Sequence, residues 1–427
     1  MRRRPVMADF GHDIVLDLEK SRSPYITDAN SGTEYLDFAT FYASNPLGMN
    51  HPLLVDDQAF MAKLATVGAN KPSTGDFRTD AFEDFVLTFT EVLGDEQLDY
   101  LFFVEGGALA VENALKVAFD WKHQKNEAAG IDVGEDLQAM HLRHAFHGRS
   151  GYTMSLTNTD ENKIARFPKF DWPRIESPAV RFPADGTLEA LEDAALADAR
   201  AWFAARPHRI ACIIVEPIQA EGGDRHLSER FLRGLQQIAH DNDALFVVDE
   251  VQTGAGTCGT PWCYQQLGLQ PDVVAFAKKV QVGGVMAGRR VREVASNVFE
   301  KSGRISSTWG GGLVDMVRST RILQLVAAHD LIGNARRRGE EIVAGLGEIA
   351  ATRPEVTQVR GRGLICAFDL PTTARRDEIV DSLERDWHML ALRCGPLTVR
   401  LRPPMTVAED HVVDALRRIK GALDGRG

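Results

Sequence analysis

Two adjacent lysines, Lys278 and Lys279, follow a fully apolar run in the segment PDVVAFAKKVQVGG, which begins at Pro271. An ammonium group at the mouth of a buried strand is costly to desolvate unless something uses it. Either both lysines keep their charged ends in water with their stems on apolar side chains, or one of them is a nucleophile. The neighbouring segments must decide between these two interpretations.

Two acidic residues end another apolar run. The segment ALFVVDE places Asp249 and Glu250 where a buried strand would finish, and ligands of open α/β sheets bind beyond such strand ends. An apolar run that ends in Asp-Glu is also typical of the Walker B strand of an ATPase. That function needs a phosphate loop of the form GxxxxGK[ST], and the sequence contains no such string. The sequence therefore argues against an ATPase.

Two glycines, Gly106 and Gly107, mark a third segment. In VEGGALAVENA they follow an apolar run and precede a helical pattern. Alone, such a pair is more often a tight turn, but free N–H groups at the start of a helix also favour an anion. Together with a strand-end carboxylate and a strand-end amine, the pair completes the requirements of a pyridoxal phosphate site. These are a phosphate cradle, an acid beside the pyridine nitrogen and an amine for the Schiff base.

The elements that carry these segments alternate between strands and helices from about Asp99 to Arg290. Continuous apolar runs predict strands buried on both faces, and the amphipathic segments between them predict helical crossovers. The predicted strands are LFFV at 101–104, IACIIVEP at 210–217, ALFVVDE at 244–250 and DVVAFA at 272–277. The middle of the chain is therefore predicted to be an α/β sheet with helices on both sides.

The two ends of the chain show a different pattern. The segment from Tyr25 to Phe38 predicts a hairpin with Asn-Ser-Gly as its turn. From Met316 the periodicity is helical, followed by a strand at 363–370, a helix over RRDEIVDSLERDWHML at 375–390 and a strand at 398–404. We predict that both ends form one smaller α+β domain, with a ligand cleft between it and the sheet.

Composition limits the class of protein. The 427 residues carry a formal charge of −11, which argues against nucleic acid or an anionic membrane as the main partner. No apolar stretch approaches the roughly 18 residues of a membrane span. The basic start MRRRP leads into an acidic stretch, so we predict no signal peptide. The five cysteines have no metal-binding spacing and indicate reduced thiols in a cytoplasmic protein.

The combined motifs resemble the class III aminotransferases, which are pyridoxal phosphate enzymes of fold type I. The matching segments, spread over nearly the whole chain, are EGGALAVENALK, HAFHGRSG, VEPIQAEGG, VVDEVQTG, PDVVAFAKK and SSTWGGG. The resemblance implies a large domain at 53–313 with a mostly parallel seven-stranded sheet flanked by helices. Residues 1–52 and 314–427 would form a small α+β domain. Within the class, HAFHGRSGYTMSLTNT, RFPKFDWPRIES and EGG are most similar to lysine 6-aminotransferases.

The resemblance implies two catalytic residues, Lys278 and Asp249. Lys278 lies at the family's fixed step from Asp272 and would form the Schiff base and carry the proton. Counting back from the Gly-Gly pair gives Lys279 instead, and we prefer Lys278 because a strand fixes reach more rigidly than a loop. Asp249 would pair with the pyridinium nitrogen. The other implied cofactor contacts are Gly107 and Ala108 at the phosphate, Phe146 on the ring face, Gln252 at the phenolic oxygen, Glu216 near the ring hydroxyl, and Thr308 reaching the phosphate from the neighbouring subunit of a homodimer.

Substrate recognition is implied for Arg149, Glu221 and Arg400. Arg149 resembles the residue that holds the carboxylate end of lysine and the distal carboxylate of 2-oxoglutarate, since a planar guanidinium suits bidentate binding. Glu221 would neutralise Arg400 while the amine donor is bound and swing aside for the α-carboxylate of 2-oxoglutarate. Arg402 is the rival of Arg400, because alternation along a strand places both on one side.

The reaction implied is transfer of the ε-amino group of L-lysine to 2-oxoglutarate, giving 2-aminoadipate 6-semialdehyde and L-glutamate. The class also contains 4-aminobutyrate, ornithine and diaminobutyrate aminotransferases, and pyridoxal phosphate decarboxylases and aminomutases share the fold. A non-catalytic relative is a further alternative, against which the joint presence of the motif residues argues. The segment ahead of DIVLDL is shorter than is usual for the family, so we expect dimer stability or substrate access to differ.

Overall fold

The computed structural model describes residues 12–425. The basic start, on which the signal-peptide prediction rests, lies outside these residues. The strands are β1 (Tyr25–Thr27), β2 (Glu34–Asp37), β3 (Tyr100–Val104), β4 (Gln138–Leu142), β5 (Arg174–Ile175), β6 (Ile210–Val215), β7 (Ile218–Gln219), β8 (Arg225–His226), β9 (Leu245–Asp249), β10 (Val273–Phe276), β11 (Gly283–Ala287), β12 (Thr357–Arg362), β13 (Ile365–Asp369), β14 (Met389–Leu390), β15 (Leu392–Cys394) and β16 (Thr398–Leu401). The helices are α1 (Thr40–Ala43), α2 (Pro52–Val55), α3 (Gln58–Gly68), α4 (Asp80–Leu93), α5 (Gly107–Ala128), α6 (Gly151–Leu156), α7 (Glu161–Ile164), α8 (Leu188–Ala205), α9 (Glu229–Asp241), α10 (Cys263–Gln266), α11 (Leu313–Ala328), α12 (Leu331–Thr352), α13 (Thr373–Arg385) and α14 (Glu409–Leu423).

A seven-stranded sheet forms the centre of the molecule, with the strand order β3-β11-β10-β9-β6-β4-β5. The pairs from β10 through β9, β6 and β4 to β5 are parallel. Only β11 runs against its neighbours, β10 and β3. The predicted mostly parallel seven-stranded α/β sheet is therefore confirmed.

Alternation along the buried strands builds one apolar core on each face of this sheet. In β9, Phe246 and Val248 pack in one core with α9, whereas Leu245 and Val247 pack in the other with α5. Every residue of β6, β9 and β10 is buried. Burial of both faces explains the continuous apolar runs in the sequence, because parallel strands covered by helices on both sides need no polar face.

The antiparallel strand β11 explains the Gly-Gly pair that follows the two lysines. A short 3₁₀ turn, Lys278–Val280, joins β10 to β11, and such a short connection can only reverse the chain. A Cβ atom at Gly283 would lie 2.6 Å from the carbonyl oxygen of Gly106, so only glycine permits this approach of β11 to the start of α5. The lysines therefore occupy the turn of a hairpin at the carboxyl end of β10.

The two chain ends pack into a common apolar cluster. Leu36, Phe38 and Leu47 share that cluster with side chains between residues 322 and 423. The predicted hairpin is present, since β1 pairs antiparallel with β2, and β12, β13, β16 and β15 form a four-stranded sheet. On this basis we keep the division of the chain at residues 52 and 313 as a proposal.

The helix expected over residues 375–390 is shorter than the sequence pattern indicated. It ends at Arg385, and Met389–Leu390 instead forms β14, which pairs parallel with β2. The apolar residues after the helix are thus buried as a strand against the amino-terminal hairpin. Pairing with a distant segment overrides local helical periodicity here.

Two further features bear on the class of protein. Among the helices between residues 12 and 425, none is long and apolar enough to cross a membrane. Over the same part of the chain, no three His, Cys, Asp or Glu side chains are placed to hold a metal ion. All five cysteines are buried and none forms a disulfide.

Candidate active site

A cavity of about 470 Å³ lies at the carboxyl ends of the central strands. Its walls come from the segments that follow β3, β4, β6, β9 and β10. The lining residues are Gly107, Ala108, Phe146, His147, Gly148, Arg149, Ser150, Glu216, Asp249, Val251, Gln252 and Lys278. Eight of the eleven site residues predicted from the sequence line this cavity, and the three that do not are Glu221, Thr308 and Arg400.

A larger cavity of about 590 Å³ lies elsewhere, between the segment 176–181, α8 and the four-stranded sheet. It contains none of the predicted site residues and no lysine. Size alone therefore does not identify the active site, and the convergence of titratable groups in the smaller cavity does.

The start of α5 provides a site for an anion. This helix has 22 residues and begins at Gly107, directly after β3. Gly106 has φ = 86°, a left-handed conformation that glycine adopts without strain. The N–H groups of the first turn have no partner within the helix, and the helix dipole adds partial positive charge there. Because Gly107 and Ala108 line the cavity, this turn can hold a phosphate group.

Asp249 is fixed from two sides at the end of β9. Its Oδ1 accepts a hydrogen bond from the backbone N–H of Val251 at 3.0 Å, and its Oδ2 lies 2.7 Å from Nδ1 of His147. The side chain of His147 has no exposed surface, and its Nε2 has no hydrogen-bond partner among the described residues. No role was predicted for His147 from the sequence. The signal was present as the second histidine of HAFHGRSG.

Glu216 supplies a second carboxyl group beside the first. Burial, and then the nearby carboxylate of Asp249, raise the pKa of Glu216 well above its ordinary value. Its Oε1 accepts a hydrogen bond of 2.9 Å from the backbone N–H of Phe146. A protonated Glu216 has an O–H group to donate, whereas Asp249 can only accept while it is ionised. The two acids therefore suit different partners in the cavity.

Lys278 reaches the cavity from the hairpin turn after β10. Burial, and then the guanidinium of Arg400, lower the pKa of Lys278 to about 7. Its Nζ donates a hydrogen bond of 3.2 Å to the backbone carbonyl of Tyr42. An amine with a pKa near 7 has a large neutral fraction at physiological pH, which is the reactive form toward a carbonyl group.

Lys279 points to a different environment. It is only 3% exposed, and its Nζ donates a hydrogen bond of 2.6 Å to the backbone carbonyl of Gln252. Burial, and then the neighbouring Lys278, lower the pKa of Lys279 well below its ordinary value. Lys279 does not line the cavity. Of the two lysines, Lys278 is thus the one with access to a ligand there.

A left-handed turn at α1 contacts the same amine. Four successive residues without a glycine, Thr40–Ala43, have φ between 41° and 60°, at a cost of about 1–2 kcal/mol for each residue. Hydrogen bonds from Thr40 to Asp37 and to the carbonyl of Arg402 hold the turn. Backbone strain of this kind is concentrated at functional sites. No local sequence pattern predicts this turn, because these residue types disfavour it.

Glu221 connects two cations beside the cavity. Its Oε2 accepts a hydrogen bond of 2.9 Å from Nη2 of Arg400, and its Oε1 lies 2.5 Å from Nζ of Lys163. Burial opposes ionisation of Glu221, but Arg400 and Lys163 together lower its pKa. Arg400 is 1% exposed, and its guanidinium lies 5.7 Å from the ring of Tyr42. Lys163 and Tyr42 were not anticipated from the sequence.

Arg402, the sequence rival of Arg400, has a different partner. Its Nη2 lies 2.5 Å from Oδ1 of Asp224, and both side chains are buried. Strand β16 ends at Leu401, so the alternation that would place Arg402 beside Arg400 does not continue to it. The geometry therefore associates Arg400 with Glu221 and Arg402 with a separate buried ion pair.

The remaining predicted residues differ in their surroundings. Arg149 and Gln252 line the cavity, and Arg149 forms no ion pair within residues 12–425. Thr308 lies exposed on the loop before α11 and outside the cavity of its own chain.

The comparisons with known proteins agree with this geometry. The family model described as aminotransferase class-III matches residues 6–423. The chain is 52% identical to the L-lysine-epsilon aminotransferase of Amycolatopsis lactamdurans, over 99% of this chain and 95% of that protein. It is 54% identical to the L-lysine-epsilon aminotransferase of Mycobacterium tuberculosis (strain H37Rv), over 98% of this chain and 94% of that protein.

A solved structure extends the likeness to three dimensions. The lysine aminotransferase from Mycobacterium tuberculosis in the internal aldimine form superimposes with a TM-score of 0.96 at 53% identity, covering 99% of this chain and 97% of that one. The family match spans nearly the whole chain. The cavity is lined by Lys278, by Asp249 and by Gly107 at the start of α5. The chain belongs to the class III aminotransferases.

Proposed function

We propose that this protein transfers the ε-amino group of L-lysine to 2-oxoglutarate, as a lysine 6-aminotransferase. The products would be L-glutamate and 2-aminoadipate 6-semialdehyde, which cyclises to piperideine-6-carboxylate. The observation that carries the ω-amino part of the proposal is the ion pair of Glu221 and Arg400, 2.9 Å apart beside the cavity. Relatives that are more than half identical to the chain, and are named for this amine donor, support it.

Class III aminotransferases use pyridoxal 5′-phosphate, and the residues of the cavity fit that group. The first turn of α5 would hold the phosphate, and Lys278 offers an amine with a pKa of about 7. When bound, pyridoxal phosphate supplies an aldehyde and an electron-withdrawing ring, which stabilises negative charge at the carbon that carries the amine. Asp249, oriented by His147 and by the N–H of Val251, would keep the ring nitrogen protonated.

The other lining residues would orient the ring and move the proton. Lys278 would take the proton that leaves the ε-carbon of lysine, acting as a general base, and would return it to the cofactor, acting as a general acid. Glu216, whose pKa is raised well above its ordinary value by burial and by Asp249, would hydrogen-bond near the ring hydroxyl, with Gln252 at the same oxygen. Phe146 would cover the ring face. Each of these side chains lines the cavity.

The two half-reactions place opposite demands on one site. L-Lysine presents its ε-carbon, which carries no carboxylate, whereas 2-oxoglutarate presents a carboxylate beside the reacting carbon. An unpaired buried guanidinium would favour only the second substrate. Glu221 would neutralise Arg400 for lysine and release it for 2-oxoglutarate. Arg149, which has no carboxylate partner within the described residues, would hold the far carboxylate of either substrate.

The assembly and location are part of the same proposal. We propose a homodimer in which Thr308 of one subunit contacts the phosphate in the other, because Thr308 is exposed and outside its own cavity. Five buried cysteines without a disulfide support a reducing, cytoplasmic location.

The experiment that tests the function is a comparison of amine donors with 2-oxoglutarate as acceptor. L-Lysine, L-ornithine, 4-aminobutyrate and 2,4-diaminobutyrate are supplied in turn, and L-glutamate and the amine-derived product are quantified by mass spectrometry. We expect the highest kcat/KM for L-lysine and a cyclic product of piperideine-6-carboxylate mass. A higher kcat/KM for one of the other donors would overturn the lysine assignment. Product formation without any need for 2-oxoglutarate would indicate a decarboxylase or an aminomutase instead.

A further inference from the structure

We propose that Lys163 is the positioning residue that holds Glu221 when it releases Arg400, and that Lys163 thereby favours 2-oxoglutarate as the acceptor. This inference rests on the proposed function, because it concerns the exchange between an amine donor and a dicarboxylate acceptor. It adds to the pair Glu221–Arg400 a third charged group that no motif of the sequence contains.

The carboxylate of Glu221 assigns one oxygen to each cation. Oε2 faces Nη2 of Arg400 at 2.9 Å, and Oε1 faces Nζ of Lys163 at 2.5 Å. Because the two contacts use different oxygens, the carboxylate can lose the contact to Arg400 and keep the contact to Lys163.

The two cations come from different parts of the fold. Arg400 lies on β16 of the four-stranded sheet, whereas Lys163 lies on α7, which follows α6 at the side of the central sheet. The short helix α7 begins after Asp160, whose side chain accepts a hydrogen bond of 2.9 Å from the backbone N–H of Asn162. Lys163 is therefore carried by a segment with its own anchor. The backbone of this segment is held by a contact other than the ion pair with Glu221.

Arg400 is buried more deeply than either Glu221 or Lys163. The side chain of Arg400 is 1% exposed, whereas those of Glu221 and Lys163 are 22% and 28% exposed. Glu221 thus has solvent and Lys163 on one side, and the buried guanidinium on the other. Nε and Nη1 of Arg400 are buried and have no hydrogen-bond partner within the described residues. These donors are available to a substrate carboxylate once Glu221 has moved.

Lys163 reduces the cost of that movement. A partly buried carboxylate that leaves its only cation would lose its neutralisation, and the loss would oppose acceptor binding. With Lys163 in place, Glu221 remains paired after Arg400 is free. Lys163 has no other carboxylate within salt-bridge distance in the described part of the chain, so its charge is available to Glu221 alone. Its Nζ also lies 5.6 Å from the ring of Phe146, which places the ammonium group beside the cavity.

The consequence is an asymmetry between the half-reactions. Lysine binding requires Glu221 on Arg400, and in that state Arg400 neutralises the carboxylate whether or not Lys163 is present. Acceptor binding requires Glu221 off Arg400, and in that state Lys163 is the remaining cation. Removal of the Lys163 charge should therefore weaken the acceptor half-reaction more than the donor half-reaction.

The test measures each half-reaction separately by rapid mixing, with enzyme loaded with pyridoxal phosphate for L-lysine and with its aminated form for 2-oxoglutarate. Lys163→Met removes the charge and keeps the length of the side chain, and Lys163→Arg keeps the charge. Lys169→Met is the matched control, because Lys169 follows α7 and, within residues 12–425, its Nζ donates to the carbonyls of Ile164 and Phe167 and has no carboxylate partner. The absorbance change of the cofactor gives the concentration of L-lysine or 2-oxoglutarate at half-maximal rate.

For Lys163→Met we expect that concentration to rise about three- to tenfold for 2-oxoglutarate and less than about twofold for L-lysine, as for a partly exposed ion pair. Lys163→Arg should restore the wild-type ratio, and Lys169→Met should leave it unchanged. Equal changes for both substrates, no change, or an equal effect of Lys169→Met would each overturn the proposal. If the wild-type enzyme does not react with L-lysine, the proposed function itself is wrong, and this outcome is distinct from a failure of the Lys163 proposal.

Discussion

The imidazole of His147 lies 2.7 Å from the carboxylate of Asp249, and the two side chains are 0% and 4% exposed. His147 comes from the loop after β4, and Asp249 ends β9, so the contact joins two strands of the sheet at their carboxyl edge. The backbone N–H of Val251 binds the other oxygen of Asp249. Asp249 is therefore held in one orientation where it lines the cavity.

Replacement of His147 by Ala should weaken both the retention and the action of the cofactor. The variant loses a hydrogen bond to a buried charged group, which corresponds to about a 10- to 100-fold effect. We expect the Kd for pyridoxal phosphate, measured by absorbance after dialysis, to rise within that range, and kcat to fall. His144→Gln is the matched control, since His144 belongs to the same motif and its ring forms no hydrogen bond in residues 12–425. Unchanged cofactor affinity in His147→Ala would contradict the role of this contact.

The two lysines should respond to substitution in opposite ways. Lys278→Ala should abolish covalent attachment of the cofactor and reduce kcat by at least about a thousandfold, as expected when a catalytic nucleophile is lost. Lys279→Met should retain attachment, because Nζ of Lys279 donates to the carbonyl of Gln252 and Lys279 does not line the cavity. Borohydride reduction followed by peptide mass spectrometry locates the attachment. A label on Lys279 of the wild-type enzyme would refute the assignment.

The covalent uptake of pyridoxal phosphate by the cofactor-free enzyme should depend on pH. Only the neutral amine attacks an aldehyde, and burial followed by Arg400 lowers the pKa of Lys278 to about 7. The uptake rate should therefore rise with pH to a plateau, with a midpoint near 7. Arg400→Gln removes a nearby positive charge, which makes the protonated amine less unfavourable and moves the midpoint to higher pH. An unshifted or lowered midpoint in this variant would show that Arg400 does not act on Lys278.

The convergence of Asp249 and Lys278 could be predicted from sequence because it follows from topology. Both residues follow buried strands, β9 and β10, and parallel strands place their carboxyl ends at one edge of a sheet. The register pairs Ala275 with Asp249, so the lysine three residues further on extends beyond that edge. The same reasoning identified Gly107 at the start of α5. Periodicity and strand ends thus predicted that these segments meet, whereas the choice of Lys278 over Lys279 came from the family resemblance.

Other parts of the site depend on contacts that no local pattern encodes. The left-handed turn at Tyr42 is held by the side chain of Asp37 and by the backbone carbonyl of the distant Arg402. The position of Lys163 beside Glu221 depends on where α7 packs. Alternation along a strand predicts the same side for Arg400 and Arg402. The strand β16 ends between them at Leu401, and Arg400 pairs with Glu221 whereas Arg402 pairs with Asp224. Tertiary structure decides these cases, as it does for the strand β14, where the sequence predicted a helix.

Replacement of Glu221 by Gln should separate the two substrates. The variant leaves Arg400 buried without its counter-charge, which disfavours a substrate that presents no carboxylate near the reacting carbon. We expect KM for L-lysine to rise about tenfold or more, as for loss of a buried charge partner, while KM for 2-oxoglutarate stays unchanged or falls. Steady-state kinetics with each substrate varied in turn provide the measurement. A parallel rise in both KM values would mean that Glu221 supports the site without distinguishing the substrates.

The assignment of Thr308 to the neighbouring subunit can be tested by complementation between inactive variants. Lys278→Ala and Thr308→Ala are prepared as separate dimers, then dissociated and reassembled together. If Thr308 acts across the interface, each mixed dimer contains one cavity with an intact Lys278 and an intact Thr308, the latter contributed by the other subunit. Random mixing then restores about a quarter of wild-type activity, because half of the dimers are mixed and half of their sites are complete. If Thr308 acts on its own subunit, every cavity lacks one of the two residues. Activity no greater than the average of the two parent variants would therefore exclude the shared site, and native mass spectrometry of the mixture confirms that mixed dimers have formed.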